Sequence, residues 1–193
     1  MDKAYWNDRY NRNEIGWDIG KVSQPLQTYI DQLPNKSIYI LIPGCGNGYE
    51  AAYLWRTGFR NVFTLDISEA ALSGFKKQCP DFPEQNIICS DFFEFEGQFD
   101  LILEQTFFCA LLPDFREKYI QKMSSLLAEN GKLVGLLFNT EFEGGPPFGG
   151  CEEDYRNLFS RQFDIVLMEE SFNSIEPRSG REIFFIAKLK PKN

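Results

Sequence analysis

The sequence contains no histidine among its 193 residues. Histidine is the commonest general base near neutral pH and the commonest metal ligand, so its absence argues against the usual serine and zinc hydrolases. Carboxylates, tyrosine and cysteine remain as candidates for chemistry. We therefore predict a reaction that requires no histidine and a protein with no metal site.

Disulfide patterns and long apolar runs are also missing. The five cysteines are odd in number and show no CxxC spacing, so we predict reduced thiols. No apolar run is long enough to cross a bilayer, and the polar, aromatic start MDKAYWNDRY is unlike a signal peptide. These features predict a cytoplasmic protein with no membrane partner.

Positive charge is in the minority. The chain has 20 Lys and Arg residues against 28 Asp and Glu residues, which gives a net charge of −8. Because an acidic surface repels phosphate backbones, we predict no nucleic-acid partner. The hydrophobic content of 43% and the length suit one globular domain, which we expect to cover residues 1–193.

Strand-like and helix-like segments alternate along most of the chain. This alternation predicts an α/β fold with a mostly parallel, seven-stranded sheet and helices on both faces. The last two strand-like segments, FDIVLMEES and REIFFIAKLK, have no helix between them and should form an antiparallel hairpin. The strongest helical pattern, PDFREKYIQKMSSLLAENG, is predicted to end at Asn130-Gly131. Since both sheet faces are covered, we expect a monomer.

A glycine-rich turn, ILIPGCGNGYEA, joins the first predicted strand to a helix. Ligands of open α/β sheets bind beyond the carboxyl ends of the strands, and Gly44, Gly46 and Gly48 let a ligand approach the main chain. The spacing is G-x-G-x-G, whereas a dinucleotide fingerprint would need its third glycine at Tyr49. This spacing favours S-adenosylmethionine over NAD, and the antiparallel final hairpin fits a Rossmann-like methyltransferase sheet.

Two acidic residues follow the next two predicted strands. Asp66 lies about twenty residues beyond the glycine turn and can accept hydrogen bonds from ribose hydroxyls. Asp91 stands beside Phe92, and this pair suits the amino group and the face of an adenine ring. The combination favours a nucleoside site over a bare tight turn.

Five segments together are similar to a known family over nearly the whole chain. They are YWNDRYNRNEIGWDIG, LIPGCGNGYEA, LDISEAAL, FDLILEQTFFCALLP and GGPPFGG. The chain resembles the thiopurine S-methyltransferase family, especially its microbial and plant members that methylate thiols and halides. The resemblance implies S-adenosyl-L-methionine as methyl donor and a small thiol, thiopurine or halide as acceptor.

The resemblance also implies where the donor binds. The predicted donor site combines an N-terminal aromatic lid segment, residues 1–22, with the strand ends, and comprises Trp6, Tyr10, Trp17, Gly44, Cys45, Gly46, Asp66, Ile67, Asp91, Phe92 and Gln105. Trp6 and Tyr10 would share one helix face, and aromatic faces attract a sulfonium cation by about 0.5–2 kcal/mol. Plain packing onto the core is the alternative. Tyr10 replaces a Trp of plant-type members.

The acceptor is expected at the ends of the fourth and fifth strands. Predicted contacts are Phe107 and Phe108, with core packing as an equal alternative, and a Gly/Pro-rich loop, residues 141–150. That loop supplies Pro146, Pro147 and Phe148. Cys45 and Cys109 are expected to be small buried residues rather than nucleophiles.

Two residues are candidates for the chemistry itself. Glu104 would be a base or would orient the amino group of the donor. The resemblance places Gln105 near the reacting centre, at a position where other branches have Tyr or Arg. Methyl transfer is an in-line displacement, and a thiolate or halide needs little proton removal. A nucleic-acid methyltransferase and a non-catalytic nucleoside-binding module remain as alternatives.

Overall fold

The computed structural model describes residues 1–191, so the last two residues of the predicted domain lie outside the described part. Seven strands form one sheet in the order β3-β2-β1-β4-β5-β7-β6. The strands are β1 (Ile40–Pro43), β2 (Val62–Asp66), β3 (Ile87–Cys89), β4 (Phe99–Gln105), β5 (Leu127–Phe138), β6 (Phe163–Glu170) and β7 (Glu182–Leu189).

Strands β1 to β5 are parallel, and β7 runs antiparallel to both β5 and β6. The predicted mostly parallel sheet with an antiparallel final hairpin is therefore confirmed. β7 lies between β5 and β6 in the sheet. Its first residue, Glu182, pairs with Phe138, the last residue of β5. As a result, the loop before β7 reaches the edge where the parallel strands end.

Within residues 1–191, two α-helices precede β1 and four lie between strands. They are α1 (Lys3–Asn11), α2 (Gln24–Asp31), α3 (Tyr49–Arg56), α4 (Glu69–Gln78), α5 (Arg116–Leu126) and α6 (Glu152–Phe159). One buried apolar cluster includes Leu26, Leu54 and Phe75 from α2, α3 and α4, and another includes Met123 and Phe159 from α5 and α6. Helices thus cover both faces, as predicted. None of the helices within residues 1–191 has the length and apolarity needed to cross a membrane.

The end predicted for the fifth helix is wrong. α5 begins at Arg116, after a 3₁₀ turn over Pro113–Phe115, and ends at Leu126, where β5 follows without a loop. The chain turns inside β5 instead, because Asn130 adopts a left-handed φ of 63°. A Cβ on Gly131 would lie 2.9 Å from the carbonyl oxygen of Ala128. The Asn-Gly pair therefore marks an irregularity in a strand rather than the end of a helix.

Candidate active site

A cavity of about 700 Å³ opens at the carboxyl ends of the parallel strands. Its walls come from the N-terminal segment, the ends of β1 and β2, and the loops that follow β3, β4 and β5. Strand β1 lies between β2 and β4, so the cavity occupies the crevice where open α/β sheets bind ligands. Its volume is in the range of about 300–1,000 Å³ that holds drug-sized ligands.

The glycine turn forms the floor of this cavity at Gly44. Gly44, Gly46 and Gly48 adopt φ values of 58°, 54° and 68°, which favour glycine. A Cβ on Gly44 would overlap the ring of Phe107, and one on Gly46 would lie 2.5 Å from the hydroxyl of Tyr10. The turn therefore needs glycine for its conformation and for the aromatic rings packed on it.

Asp66 presents its carboxylate to the cavity and is only 8% exposed. Its Oδ2 accepts a hydrogen bond of 2.9 Å from the Gly46 amide, and its Oδ1 accepts one of 2.8 Å from the Ser68 amide. Burial raises the pKa of Asp66, while these amides act in the opposite direction. Each oxygen keeps a second lone pair, so the carboxylate can still accept hydrogen bonds from a ligand.

Asp91 and Phe92, the pair predicted to hold an adenine ring, also line the cavity. Asp91 comes two residues after β3, and its Oδ1 accepts a hydrogen bond of 2.8 Å from the Phe93 amide. The rings of Phe92 and Phe107 meet edge to face with centroids 5.0 Å apart, and both residues line the cavity. A flat apolar surface thus lies beside a carboxylate.

The N-terminal segment closes the cavity with three aromatic rings. Trp17 meets Trp6 and Tyr10 edge to face, at centroid distances of 5.6 and 5.9 Å. All three residues line the cavity. The three rings therefore lie around the space above the glycine turn, where their electron-rich faces would attract a cationic ligand.

Polar contacts fasten this segment to the strand ends. Asn7 Oδ1 accepts hydrogen bonds from the Ser68 hydroxyl, at 2.9 Å, and from the Ala70 amide, at 3.1 Å. Asp18 accepts hydrogen bonds from Asn47 and from Tyr49, next to the glycine turn. The segment is therefore held by side chains on both sides of the cavity.

A smaller pocket of about 50 Å³ adjoins the cavity beside the glycine turn. Cys45, Gly46 and Gln105 line this small pocket and do not line the large cavity. Gln105 Oε1 is buried there with no hydrogen-bond partner within residues 1–191. An ammonium group at this position would supply the missing donor, so the site fits the amino-acid part of S-adenosylmethionine.

The structure does not place Glu104 at the cavity, and its role as a catalytic base or a donor contact stays a prediction. Glu104 is fully buried and does not line the cavity. Its Oε1 accepts hydrogen bonds of 2.8 Å from the amides of Phe107 and Phe108. Burial raises the pKa of Glu104 to about 7. The residue holds the turn after β4, in which Thr106 has a φ of 58°.

Two of the predicted acceptor contacts also lie elsewhere. Phe108 is buried in the core, where its ring meets Tyr119 and Tyr155 at centroid distances of 5.0 and 5.7 Å. Phe148 does not line the cavity; its amide donates to the carbonyl of Cys109, and its ring packs against Gly145. The turn after β4 points alternate side chains in opposite directions, so Phe107 faces the cavity whereas Phe108 does not.

Apart from the three residues at the small pocket, the structure brings the remaining predicted residues around the large cavity. Among the predicted donor residues, those that line it are Trp6, Tyr10, Trp17, Gly44, Asp66, Ile67, Asp91 and Phe92. Among the predicted acceptor residues, those that line it are Phe107, Pro146 and Pro147. Cys109 lines it too, and burial strongly raises the pKa of its thiol, as expected of a thiol that is not a nucleophile.

Several further residues at the acceptor end were not predicted. Phe138, Phe142, Arg178 and Arg181 line the cavity opposite the glycine turn. Arg178 and Arg181 lie in the loop before β7, which the antiparallel pairing of β5 and β7 brings to this edge. The predicted antiparallel hairpin could have indicated the position of these two arginines, because an antiparallel strand begins at the edge where its parallel neighbours end.

The family model described as thiopurine S-methyltransferase (TPMT) matches residues 1–188. The chain belongs to the thiopurine S-methyltransferase family. A relative named probable thiol methyltransferase 2, from Arabidopsis thaliana, is 32% identical over 92% of this chain and 81% of its own length. Thiocyanate methyltransferase 1 from Brassica oleracea is 29% identical over 94% of this chain and 83% of its own length.

A solved structure of similar fold is 1,6-didemethyltoxoflavin-N1-methyltransferase from Burkholderia thailandensis, described with bound S-adenosylhomocysteine. It superposes with a TM-score of 0.79 and 18% identity, over 98% of this chain and 87% of that protein. The predicted thiopurine S-methyltransferase family, Rossmann-like methyltransferase fold and methyl donor are therefore confirmed. This family member is an S-adenosylmethionine-dependent methyltransferase.

Proposed function

We propose that the enzyme methylates a small thiol, bound as its thiolate, within the cavity at the strand ends. The observation that carries this proposal is the division of one cavity into two unlike ends. The donor end has the buried carboxylate of Asp66, the exposed carboxylate of Asp91 and a cluster of indole and phenol rings, and the acceptor end has phenylalanines, prolines and arginines. When bound, S-adenosylmethionine supplies a methyl group on a sulfonium leaving group.

In this proposal, each group of residues at the donor end binds one part of S-adenosylmethionine. Asp66 would accept from the ribose hydroxyls, and Asp91 with Phe92 would hold the adenine. Trp6, Tyr10 and Trp17 would surround the sulfonium cation. In this proposal, residues 1–22 act as a lid, and Gln105 and the neighbouring small pocket bind the amino-acid part.

The acceptor end favours a nucleophile that arrives already ionised. The acidic residues that line the cavity are Asp2, Asp66 and Asp91, and both oxygens of Asp66 already accept amide hydrogen bonds. Burial raises the pKa of Tyr10, so its phenol does not act as a base at neutral pH. Thiolates and halides need no base, and an apolar aromatic wall favours a thiol over a strongly hydrated small halide.

Other features of the chain support the parts of the proposal that concern the acceptor-side loop, the oligomeric state and the localisation. The loop 141–150 would form the acceptor-side wall through Pro146 and Pro147. We propose a monomer that acts in the cytoplasm without a nucleic-acid or membrane partner. The net charge of −8, the helices on both sheet faces and the five unpaired cysteines support this part. The names of the plant relatives point to sulfur acceptors.

Calorimetry followed by turnover tests the proposal. We expect S-adenosylhomocysteine to bind with a stoichiometry of one, and the enzyme to form it from S-adenosylmethionine with hydrosulfide or an arenethiol. Chloride, a small and strongly hydrated halide, should react more slowly. Donor binding without turnover by any acceptor would instead favour a non-catalytic binding module, and turnover with iodide alone would contradict the preference for thiols.

A further inference from the structure

The acceptor end contains two arginines, each placed over a phenylalanine ring. The guanidinium carbon of Arg178 lies 5.5 Å from the ring centroid of Phe138, and that of Arg181 lies 5.6 Å from the centroid of Phe142. The two rings meet edge to face, with centroids 5.1 Å apart. These four residues form one connected arginine–phenylalanine cluster on the cavity wall.

The two arginines differ in how their donors are used. Arg178 is buried, donates to the carbonyl of Trp17 at 2.6 Å and forms an ion pair with Glu182 at 3.2 Å. Arg181 is exposed at the cavity rim, and within residues 1–191 no carboxylate lies within ion-pair distance of it. Arg178 therefore holds the site together, whereas the guanidinium of Arg181 is free to bind a ligand.

The charge around Arg181 favours an anion. The acidic residues that line the cavity, Asp2, Asp66 and Asp91, belong to the N-terminal segment and to the strand ends at the donor side. Glu141 and Glu143 flank Phe142 in sequence but do not line the cavity. A ligand on the acceptor wall therefore faces arginine and aromatic side chains within a chain of net charge −8.

We propose that Arg181 selects acceptors that carry a second anionic group, such as a carboxylate, on the ring that bears the thiol. This inference rests on the proposed function and names a narrower acceptor class for the same cavity. The planar guanidinium would form a bidentate pair with the carboxylate, and Phe142 would contact the acceptor ring. The thiolate would then point away from the rim, towards the donor end.

A matched pair of arenethiols tests this proposal. The probes are 4-mercaptobenzoate and 4-methylbenzenethiol, which share the ring and the thiol and differ in the charged group. Rates are measured as S-adenosylhomocysteine formation, at a pH where both thiols are ionised. We expect Arg181→Gln to lower kcat/KM for the carboxylate acceptor about 5- to 20-fold and to change the neutral acceptor less than about twofold. Comparing variant with wild type for each thiol cancels its intrinsic reactivity.

Two control variants separate charge, geometry and folding. Lys77→Gln removes an exposed positive charge on α4, outside the cavity lining, and should leave both acceptors unchanged. Arg181→Lys keeps the charge but loses the planar fork, so an intermediate loss for the carboxylate acceptor is expected. Binding of the methylated products, measured by calorimetry, should show the same selective loss in Arg181→Gln.

The outcomes distinguish this inference from the function on which it rests. If the wild type turns over both thiols and Arg181→Gln affects them equally or not at all, the Arg181 proposal is overturned while the methyltransferase proposal stands. If the wild type turns over no thiol, both are overturned. A selective loss that high salt also produces in the wild type supports the proposal, because salt weakens an exposed charge pair.

Discussion

The donor end and the acceptor end of the cavity are built in different ways. At the donor end, main-chain amides and a turn of three glycines hold the buried carboxylate of Asp66 in place. At the acceptor end, side chains from three loops meet, and its charged groups are arginines held over aromatic rings. Backbone geometry thus positions the carboxylate and the glycine turn of the donor end, whereas the acceptor wall depends mainly on side chains from loops.

This difference has a functional consequence. The glycine turn tolerates few substitutions, because a Cβ at a left-handed φ is strained and would collide with the packed rings. A wall made from loop side chains can change its selectivity while the fold stays the same. We therefore expect substitutions at the donor end to lower donor affinity for every acceptor alike, and those at the acceptor end to redistribute activity among acceptors.

Gly44→Ala should have the largest effect. The new Cβ would overlap the ring of Phe107 at a left-handed φ of 58°. We expect S-adenosylhomocysteine affinity to fall by on the order of 100-fold and the free energy of unfolding to fall by about 1–3 kcal/mol. The control is Gly58→Ala, which has a φ of 101° in open space away from the cavity. It should cost stability and leave binding intact; equal binding losses would contradict our account.

Asp66→Asn should come next. The asparagine side chain keeps one acceptor oxygen. Its NH₂ group replaces the other oxygen and faces a main-chain N–H that, in the wild type, donates to the carboxylate. Charged hydrogen bonds contribute about 1.5–3 kcal/mol, so calorimetry should show affinity for S-adenosylhomocysteine reduced by about 10- to 100-fold. Asp164→Asn, an exposed position on β6, provides the matched control. An unchanged affinity in Asp66→Asn would remove Asp66 from the donor site.

Trp17→Leu should weaken the donor end moderately. It removes the ring that joins Trp6 to Tyr10 above the glycine turn. A cation–aromatic contact is worth about 0.5–2 kcal/mol, so affinity for the sulfonium donor should fall by about 2- to 30-fold. The neutral sulfur of S-adenosylhomocysteine should be affected less. As a control, Trp55→Leu removes an indole that instead contacts Asp81 and Arg60. Equal losses for the two ligands would show that Trp17 only packs the segment.

Glu104→Gln should have the smallest effect on activity. The amide oxygen can still accept from Phe107 and Phe108, so kcat should stay within about threefold, whereas loss of a general base costs about 100-fold or more. The burial of Glu104 raises its pKa to about 7. Its contribution to stability is therefore present below pH 4.5 and lost as the pH rises to about 7.

Thermal unfolding of wild type and Glu104→Gln at several pH values measures this loss. The variant should become more stable than the wild type by about 1–3 kcal/mol as the pH rises through this window. The same difference at every pH would mean that Glu104 does not titrate there. A 100-fold fall in kcat would instead support Glu104 as a general base and contradict our expectation for this variant.

Much of the fold and of the donor end could be predicted from sequence, because the information there is local. The glycine turn, Asp66 and Asp91 each follow a strand whose apolar run is visible in the sequence. The acceptor end could not be predicted equally well, since Arg178 and Arg181 reach it only through the antiparallel pairing of β5 with β7. The alternation of side chains after β4, which turns Phe107 into the cavity and Phe108 into the core, has no local sequence signal.

The most direct test of the proposed donor site is a crystal structure with S-adenosylhomocysteine bound. We predict the ribose at Asp66, the adenine between Asp91 and Phe92, and the sulfur beneath Trp6 and Trp17, with the cavity beyond it open towards Arg181. Product bound elsewhere, or a crevice filled by the protein's own side chains, would contradict this prediction.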